Sequence, residues 1–275
     1  MNQPRFVSIA MIPLIFGFTL VTAEAASSVS VDPPRLRAAS LEFAILPKAD
    51  TPTSSRTGAK VTKVAGPLKT TVTLLEDGEL RLCLVTAHLN SPIAANVSVR
   101  FRRALAEDLR LPVSNVLLAV SHNHTDVVLA SNQISAYATY SIPASEGLPE
   151  AKLLPVGEEL LSQTRSHAMR LPGMLQPVSV WWAEGAEGRI TYNRKGRRAD
   201  GSTYLMREED REQVGVDYSG DTDRQAPIVV LKNASGTPLA ALVQFTGHPV
   251  TAYHPEKPVV FGDWPQVACD VVAIF

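Results

Sequence analysis

The 275-residue chain has only two cysteines and little net charge, since 26 basic and 27 acidic side chains leave −1. Two thiols are too few for a disulfide-dense scaffold or a four-thiolate zinc module. Balanced charge excludes the general basic surface with which proteins bind nucleic acid or anionic membranes. Because 45% of the residues are hydrophobic and 19% are charged, the composition indicates a folded globular protein.

The N-terminus has the layout of a secretory signal peptide. Arg5 precedes an apolar run at residues 6–21, and an Ala-Glu-Ala sequence at 23–25 has the small-x-small pattern of a cleavage site. About 16 apolar residues are fewer than the ~20 that a membrane-spanning helix needs. We therefore expect cleavage after Ala25, an exported protein that is secreted or periplasmic, and no transmembrane anchor in the mature chain.

Export would place Cys83 and Cys269 in an oxidising environment, where they could form one disulfide. Two buried free thiols are the alternative, because the small apolar side chain of cysteine packs well in protein cores. The sequence leaves both alternatives open.

The order of predicted strands and helices indicates an α/β fold, in which mixed β-sheets carry packed helices. Residues 26–68 should form an N-terminal tail and a first strand. Two β-rich runs then flank Asp77-Gly78, which is a strong hairpin signal because a type I′ turn needs positive φ at both central residues. Ser91 as N-cap and Pro92 at the first helical position begin an amphipathic helix.

The later part of the chain continues this mixed pattern. A continuous apolar run at 116–120 is typical of a strand buried on both faces. Fifteen charged side chains at 194–224 balance in sign, which favours a solvated loop. A second amphipathic helix, a third strand, a second hairpin and a final helix are predicted near residues 156–171, 178–183, 228–246 and 264–275.

Histidines follow two of the predicted strands. His122 and His124 come directly after the 116–120 strand, and His248 follows the second hairpin. Ligands often bind at the carboxyl ends of strands, and neutral imidazole is a preferred zinc ligand. In an extended segment, His122 and His124 would point to the same side. The pattern therefore favours metal-assisted hydrolysis.

Other catalytic chemistries have less support. The sequence contains no G-x-S-x-G elbow, no P-loop and no G-x-G-x-x-G after a strand. Cys83 lies in the middle of a predicted strand, which indicates a core position. Ser121 is adjacent to His122, and adjacent residues rarely give the geometry of a catalytic triad.

Four motifs together resemble the N-terminal catalytic domain of the neutral/alkaline (non-lysosomal) ceramidase family. SHNHTD at 121–126 is similar to the family's Ser-His-Thr-His-Ser-Gly-Pro loop, and YNR at 192–194 resembles its Asn-Arg segment. GHP at 247–249 and FGDWPQVA at 261–268 resemble its His-Pro and Ser-Ala-Asp-x-Pro-Gly stretches. The resemblance covers residues 69–268.

The resemblance implies a zinc-dependent amidase of sphingolipid metabolism, which cleaves the N-acyl bond of ceramide or of another small-molecule or lipid amide. His122 and His248 would be ligands of one zinc ion. His124 would hydrogen-bond the substrate or the tetrahedral intermediate, and Arg194 would stabilise the oxyanion with its fixed positive charge.

The family takes its remaining zinc ligands, a glutamate and a tyrosine, from sequence beyond the end of this chain. We therefore expect residues 69–275 to be a ceramidase-like catalytic domain that is incomplete at its C-terminus. A catalytic zinc normally has three protein ligands and a water, and His88, Asp126 and Asp263 are the candidates for a further ligand. The alternative is a truncated or non-catalytic domain that keeps the fold without a competent metal site.

Overall fold

The computed structural model describes residues 36–54, 59–90, 94–135, 139, 147–191, 193, 195–197, 203–205, 222–254 and 257–273. The signal-peptide segment, the helix start at Ser91 and Pro92, and Arg194 lie outside these ranges. The expectations for those residues therefore stay predictions.

Seven strands form one mixed sheet, which confirms the predicted mixed character of the α/β fold. They are β1 (Leu36–Ile45), β3 (Leu68–Asp77), β4 (Leu80–Ala87), β5 (Val116–Val120), β6 (Gln176–Ala186), β9 (Gln225–Asn233) and β10 (Pro238–Val243). Their spatial order is β10-β9-β6-β1-β3-β4-β5. Neighbouring strands are antiparallel, except that β4 and β5 run parallel.

Two short strand pairs lie outside this sheet. β2 (Lys63–Val64) pairs in parallel with β11 (Val259–Val260), and β7 (Lys195–Arg197) pairs antiparallel with β8 (Thr203–Leu205). The described part of the charged 194–224 segment therefore contains a small hairpin, where the sequence predicted a loop.

Three α-helices complete the described elements: α1 (Ala95–Leu109), α2 (Pro155–Arg170) and α3 (Asp263–Val272). Single 3₁₀ turns at Val113–Asn115 and Leu171–Met174 adjoin them. Helix α1 is the crossover that a pair of parallel strands requires, because it connects β4 to β5. In the described ranges, no helix combines the length and apolar character needed to cross a membrane.

The first hairpin forms as the sequence predicted, but its turn lies one residue later and lacks the positive φ at both central residues that a type I′ turn needs. Asp77 pairs with Leu80, which leaves Gly78 and Glu79 in a two-residue turn, and Gly78 has a φ of +56°. Since a β-carbon disfavours positive φ, glycine at this point fixes the register of β3 and β4. Their pairing continues from this turn to Thr70 and Ala87.

The main core lies between one face of the sheet and helices α1 and α2. Leu105 of α1 and Ala168 of α2 are both 0% exposed, and they belong to one buried cluster with Val72 and Val85 from the sheet. The four-residue spacing of Val97, Phe101 and Leu105 directs the apolar side of α1 onto this face.

Both cysteines are free thiols in this structure. Cys83 is completely buried in β4, whereas Cys269 lies exposed on α3. Burial raises the pKa of the Cys83 thiol to about 12, so this thiol stays protonated and inert near neutral pH. The core position predicted for Cys83 is confirmed.

The prediction that β5 is buried on both faces is wrong. β5 is the last strand of the sheet order and pairs with β4 only. Val116 is fully buried, but Leu117 is 45% exposed. The apolar run at 116–120 does not distinguish an edge strand from a central one, because the exposed positions of an edge strand can also carry leucine.

Replacement of Leu105 by alanine tests the importance of the helix–sheet core. Leu105→Ala should lower the free energy of unfolding by about 3 kcal/mol, since it leaves a cavity at a fully buried site. Leu117→Ala is the matched control and should cost less than about 1 kcal/mol, because its side chain is 45% exposed. Urea unfolding followed by circular dichroism measures both values, and equal losses would contradict this location of the core.

Candidate metal centre

Three histidine side chains meet in a group outside the main sheet. One ring nitrogen from each of His122, His124 and His248 lies within 4.8 Å of the other two, and all three residues are half-buried. The Nε2 atoms of His124 and His248 are 3.0 Å apart. A metal ion in a protein is usually held by histidine, cysteine or acidic side chains, and among the described residues these three histidines form such a group.

The donor set fits a zinc ion. Zinc binds imidazole nitrogen at about 2.0–2.1 Å, so two nitrogens on one tetrahedral ion lie about 3.3 Å apart. The 3.0 Å between Nε2 of His124 and Nε2 of His248 is close to this value. All three ring nitrogens already lie within 4.8 Å of one another, so small side-chain rotations would bring them to the separation that one ion requires. Neutral imidazoles are suitable ligands, and all three histidines remain partly exposed to solvent.

The backbone bends at His122. This residue has a φ of +63°, in the left-handed region that costs a residue with a β-carbon about 1–2 kcal/mol. Such conformations cluster at functional sites, where the surrounding structure maintains them. The extended His-x-His segment expected from the sequence is therefore not formed. The rings of His122 and His124 instead meet edge to face, with centroids 5.2 Å apart.

The two histidine segments reach the site by different routes. His122 follows β5 directly, as predicted, whereas β10 ends at Val243, five residues before His248. The strand pairings also make β10 antiparallel to β5 along the sheet order. The carboxyl ends of β5 and β10 therefore lie at opposite edges of the sheet, and the strands alone do not explain how His248 reaches His122. Contacts between loops bring them together.

One of these contacts joins the two segments directly. The backbone N–H of His124 donates a hydrogen bond of 3.3 Å to the carbonyl of Pro249. Since Pro249 adjoins His248, the bond holds the backbones of two metal-ligand candidates side by side. The ring centroids of His124 and His248 are 4.8 Å apart as a result.

His88, Asp126 and Asp263, the candidates for a further ligand, lie outside the three-histidine group. His88 is buried, and burial lowers the pKa of its imidazole to about 4. Asp126 accepts hydrogen bonds from the Ser54 hydroxyl and the Asn90 backbone N–H, and burial raises the pKa of its carboxyl to about 7. Asp263 is 0% exposed and also accepts hydrogen bonds from the backbone.

Arg194 lies outside the described residues, so its role at the oxyanion stays a prediction. Tyr253 was not among the predicted site residues, but its half-buried ring has its centroid 5.8 Å from that of His124. Its position five residues after His248 was the available signal, because a short loop that turns back keeps such residues near each other.

Two solved structures share the fold of this chain. A ceramidase described as complexed with C2 aligns with a TM-score of 0.58 and 18% identity, over 84% of this chain and 34% of the ceramidase chain. The neutral ceramidase from Pseudomonas aeruginosa aligns with a TM-score of 0.55 and 18% identity, over 85% of this chain and 35% of its own. At this identity the match establishes a ceramidase-like fold.

The chain spans about a third of the length of these ceramidases. No protein-family model matches its sequence. A search of curated proteins also finds no match.

The pKa of His88 predicts how the stability of the folded chain depends on pH. Above pH 6.5 His88 is neutral in both the folded and the unfolded chain. As the pH falls from 6.5 toward about 4, the unfolded chain binds a proton that the buried imidazole does not. The folded state should therefore lose stability over this window, by at most about 1.4 kcal/mol per pH unit.

A His88→Gln variant isolates this contribution, because glutamine does not titrate. The unfolding free energy of the wild type minus that of the variant should decrease steadily from pH 7 to pH 4. Urea unfolding with a chelator present measures the difference without a contribution from metal. A difference that stays constant with pH would show that His88 titrates normally in the folded chain.

Proposed function

We propose that the chain is the catalytic part of an exported zinc-dependent amide hydrolase, with residues 69–275 as its ceramidase-like domain. The observation that carries this proposal is the convergence of three half-buried imidazoles within 4.8 Å. The ceramidase-like fold supports it independently. In this proposal two of the three imidazoles bind the zinc, for which imidazole nitrogen is a preferred ligand, and the third acts on the substrate.

His122 and His248 are the proposed ligands of the zinc ion. His122 lies two residues after the end of β5, so the sheet limits its movement, and a ligand is better positioned by a strand than by a long loop. When bound, zinc would lower the pKa of a water molecule and polarise the amide carbonyl. The imidazoles must be neutral to bind it, so metal affinity should weaken in acid.

His124 is the proposed hydrogen-bonding residue for the reacting amide. Its backbone is held by Pro249, and its ring packs edge to face against those of His248 and Tyr253. From this position its ring N–H can donate to the oxygen that gains negative charge in the tetrahedral intermediate. Arg194 is proposed to add a fixed positive charge to the same oxygen.

The proposed substrate is an N-acyl amide of lipid type, with ceramide as the first compound to test. The motif resemblance and the names of the two structural matches support this choice. A site for such a substrate must accommodate both apolar and polar groups, because the amide of ceramide lies between a fatty acyl chain and a hydroxylated base.

Alanine variants of the three histidines test the proposal and separate their roles. His122→Ala and His248→Ala should lose the zinc and the amidase activity together. His124→Ala should keep most of the zinc and lose about 10²–10³-fold in turnover, which is typical for removal of one oxyanion donor. Zinc content by mass spectrometry and release of fatty acid from a labelled ceramide measure the two properties.

His167→Ala is the matched control, since His167 lies on α2 and stacks on Phe43 instead of joining the histidine group. It should retain zinc and activity. Wild-type protein that binds no zinc would refute the proposal. Loss of zinc from His124→Ala with retention by His122→Ala would reverse the assignment of the two residues.

Export is a separate proposal with its own test. The full sequence, expressed in a bacterium with a secretion pathway, should be recovered outside the cytoplasm with Ala26 as its first residue. Intact-mass measurement and N-terminal sequencing identify the cleavage point. Replacement of Ala25 by a bulky residue such as Phe should block cleavage there, because signal peptidases require a small residue at this position. Uncleaved wild-type protein in the cytoplasm would refute export.

A further inference from the structure

We infer that residues 261–264 position both histidine segments relative to each other, and that Asp263 and Trp264 thereby set the affinity of the metal centre. This inference rests on the proposed function, because it gives a role to residues around the site that the proposed function uses. In this role Asp263 and Trp264 act through the backbone on either side of His248.

Phe261 holds the segment that carries His124. The carbonyl of Phe261 accepts hydrogen bonds from the side chains of Asn123, at 3.1 Å, and Thr125, at 2.5 Å. The backbone N–H of Phe261 donates in return to the carbonyl of Thr125, at 3.0 Å. Since Asn123 and Thr125 flank His124 and are almost completely buried, these bonds fix its backbone from both sides.

Asp263 holds the segment that follows His248. Its carboxylate accepts hydrogen bonds from the Thr251 hydroxyl at 2.5 Å and from the Ala252 backbone N–H at 3.0 Å. A third bond comes from the backbone N–H of Trp264 at 2.7 Å. Asp263 is 0% exposed, and a buried carboxylate is costly unless such donors satisfy it. The turn after His248 is therefore strongly fixed.

Trp264 holds the residue that precedes His248. Its indole Nε1–H donates to the carbonyl of Gly247 at 3.2 Å. The indole also packs edge to face on Phe245, with ring centroids 5.6 Å apart. His248 is thus held on its N-terminal side by Trp264 and on its C-terminal side by Asp263.

The path of the 261–264 residues is itself tightly constrained. A β-carbon on Gly262 would lie 2.5 Å from the β-carbon of Gln266 and 2.7 Å from Nδ1 of His88. Asp263 has a φ of +58°, a conformation that persists only where the surroundings maintain it. Four consecutive residues therefore connect both histidine segments to one rigid point at the start of α3.

A metal site requires this kind of support, because its ligands must be held within about 0.5 Å of their productive positions. Loosening either set of bonds would let the His124 and His248 nitrogens move from their 3.0 Å separation. The fold would survive, since the helix–sheet core does not involve these bonds. The expected defect is therefore in metal binding and ring geometry.

Two conservative substitutions remove single bonds. Trp264→Phe deletes the hydrogen bond to Gly247 and keeps an aromatic ring against Phe245. Asp263→Asn keeps the size of the side chain but replaces one acceptor oxygen by an NH₂ group. The amide side chain therefore cannot accept hydrogen bonds from Thr251 and Ala252 through two separate oxygens. Both are made in the full mature chain.

Matched controls remove similar groups elsewhere. Asp108→Asn changes a carboxylate whose side chain is 9% exposed and which pairs with Arg165 through two bonds of 2.7 Å. Trp182→Phe changes a tryptophan of β6 that is 68% exposed. These variants report the general cost of losing a buried carboxylate or an indole.

Two readouts separate positioning from stability. The zinc dissociation constant, measured by competition with a chromophoric chelator, should rise about 10–100-fold in Asp263→Asn and about tenfold in Trp264→Phe, in the range for groups that orient ligands indirectly. Histidine ring ¹⁵N shifts of the metal-free protein should change at His124 and His248 in both variants. The controls should leave both quantities at wild-type values.

Unchanged ring shifts and unchanged zinc affinity in both variants would overturn the inference and leave Asp263 and Trp264 as purely structural residues. Ring shifts that change in a protein whose wild type binds no zinc would refute the proposed function but support the positioning role. An equal loss of affinity in Asp108→Asn would also overturn the inference, because it would show a general effect of destabilisation.

Discussion

The close approach of three imidazole rings is the constraint on which the rest of the candidate site depends. A hydrogen bond between the Nε2 atoms of His124 and His248 links two of the rings, and the backbone holds the segments that bring all three nitrogens within 4.8 Å. It does so by a left-handed residue at His122 and by a hydrogen bond from His124 to Pro249. The cost of this local strain is offset by the large apolar core beneath α1 and α2.

Local patterns in the sequence predicted most of the regular structure. The first hairpin, the apolar spacing of α1 and the buried position of Cys83 each depend on neighbours close in sequence, and all three are confirmed, although the hairpin turn lies one residue later than predicted. The exposure of Leu117 was missed, because an edge strand and a central strand carry similar residues. Only the order of strands in the complete sheet distinguishes them.

The candidate site shows the same division between local and distant information. The sequence identified His122, His124 and His248 as a group, and the structure brings them together. It could not predict the bend at His122, because a positive φ at histidine results from contacts with distant segments. The location of Asp263 apart from the histidines also depends on such contacts, since its partners follow His248 in another loop.

The difference between the two thiols makes the chain suitable for site-selective labelling. Cys83 is sealed in the core, whereas Cys269 is exposed one turn and a half along the helix that begins at Asp263. Partial desolvation of the thiol and the nearby carboxylates of Glu42 and Asp270 raise the pKa of Cys269, so a maleimide should react with it slowly but selectively. A fluorophore attached there would report movements of α3 without any engineered cysteine.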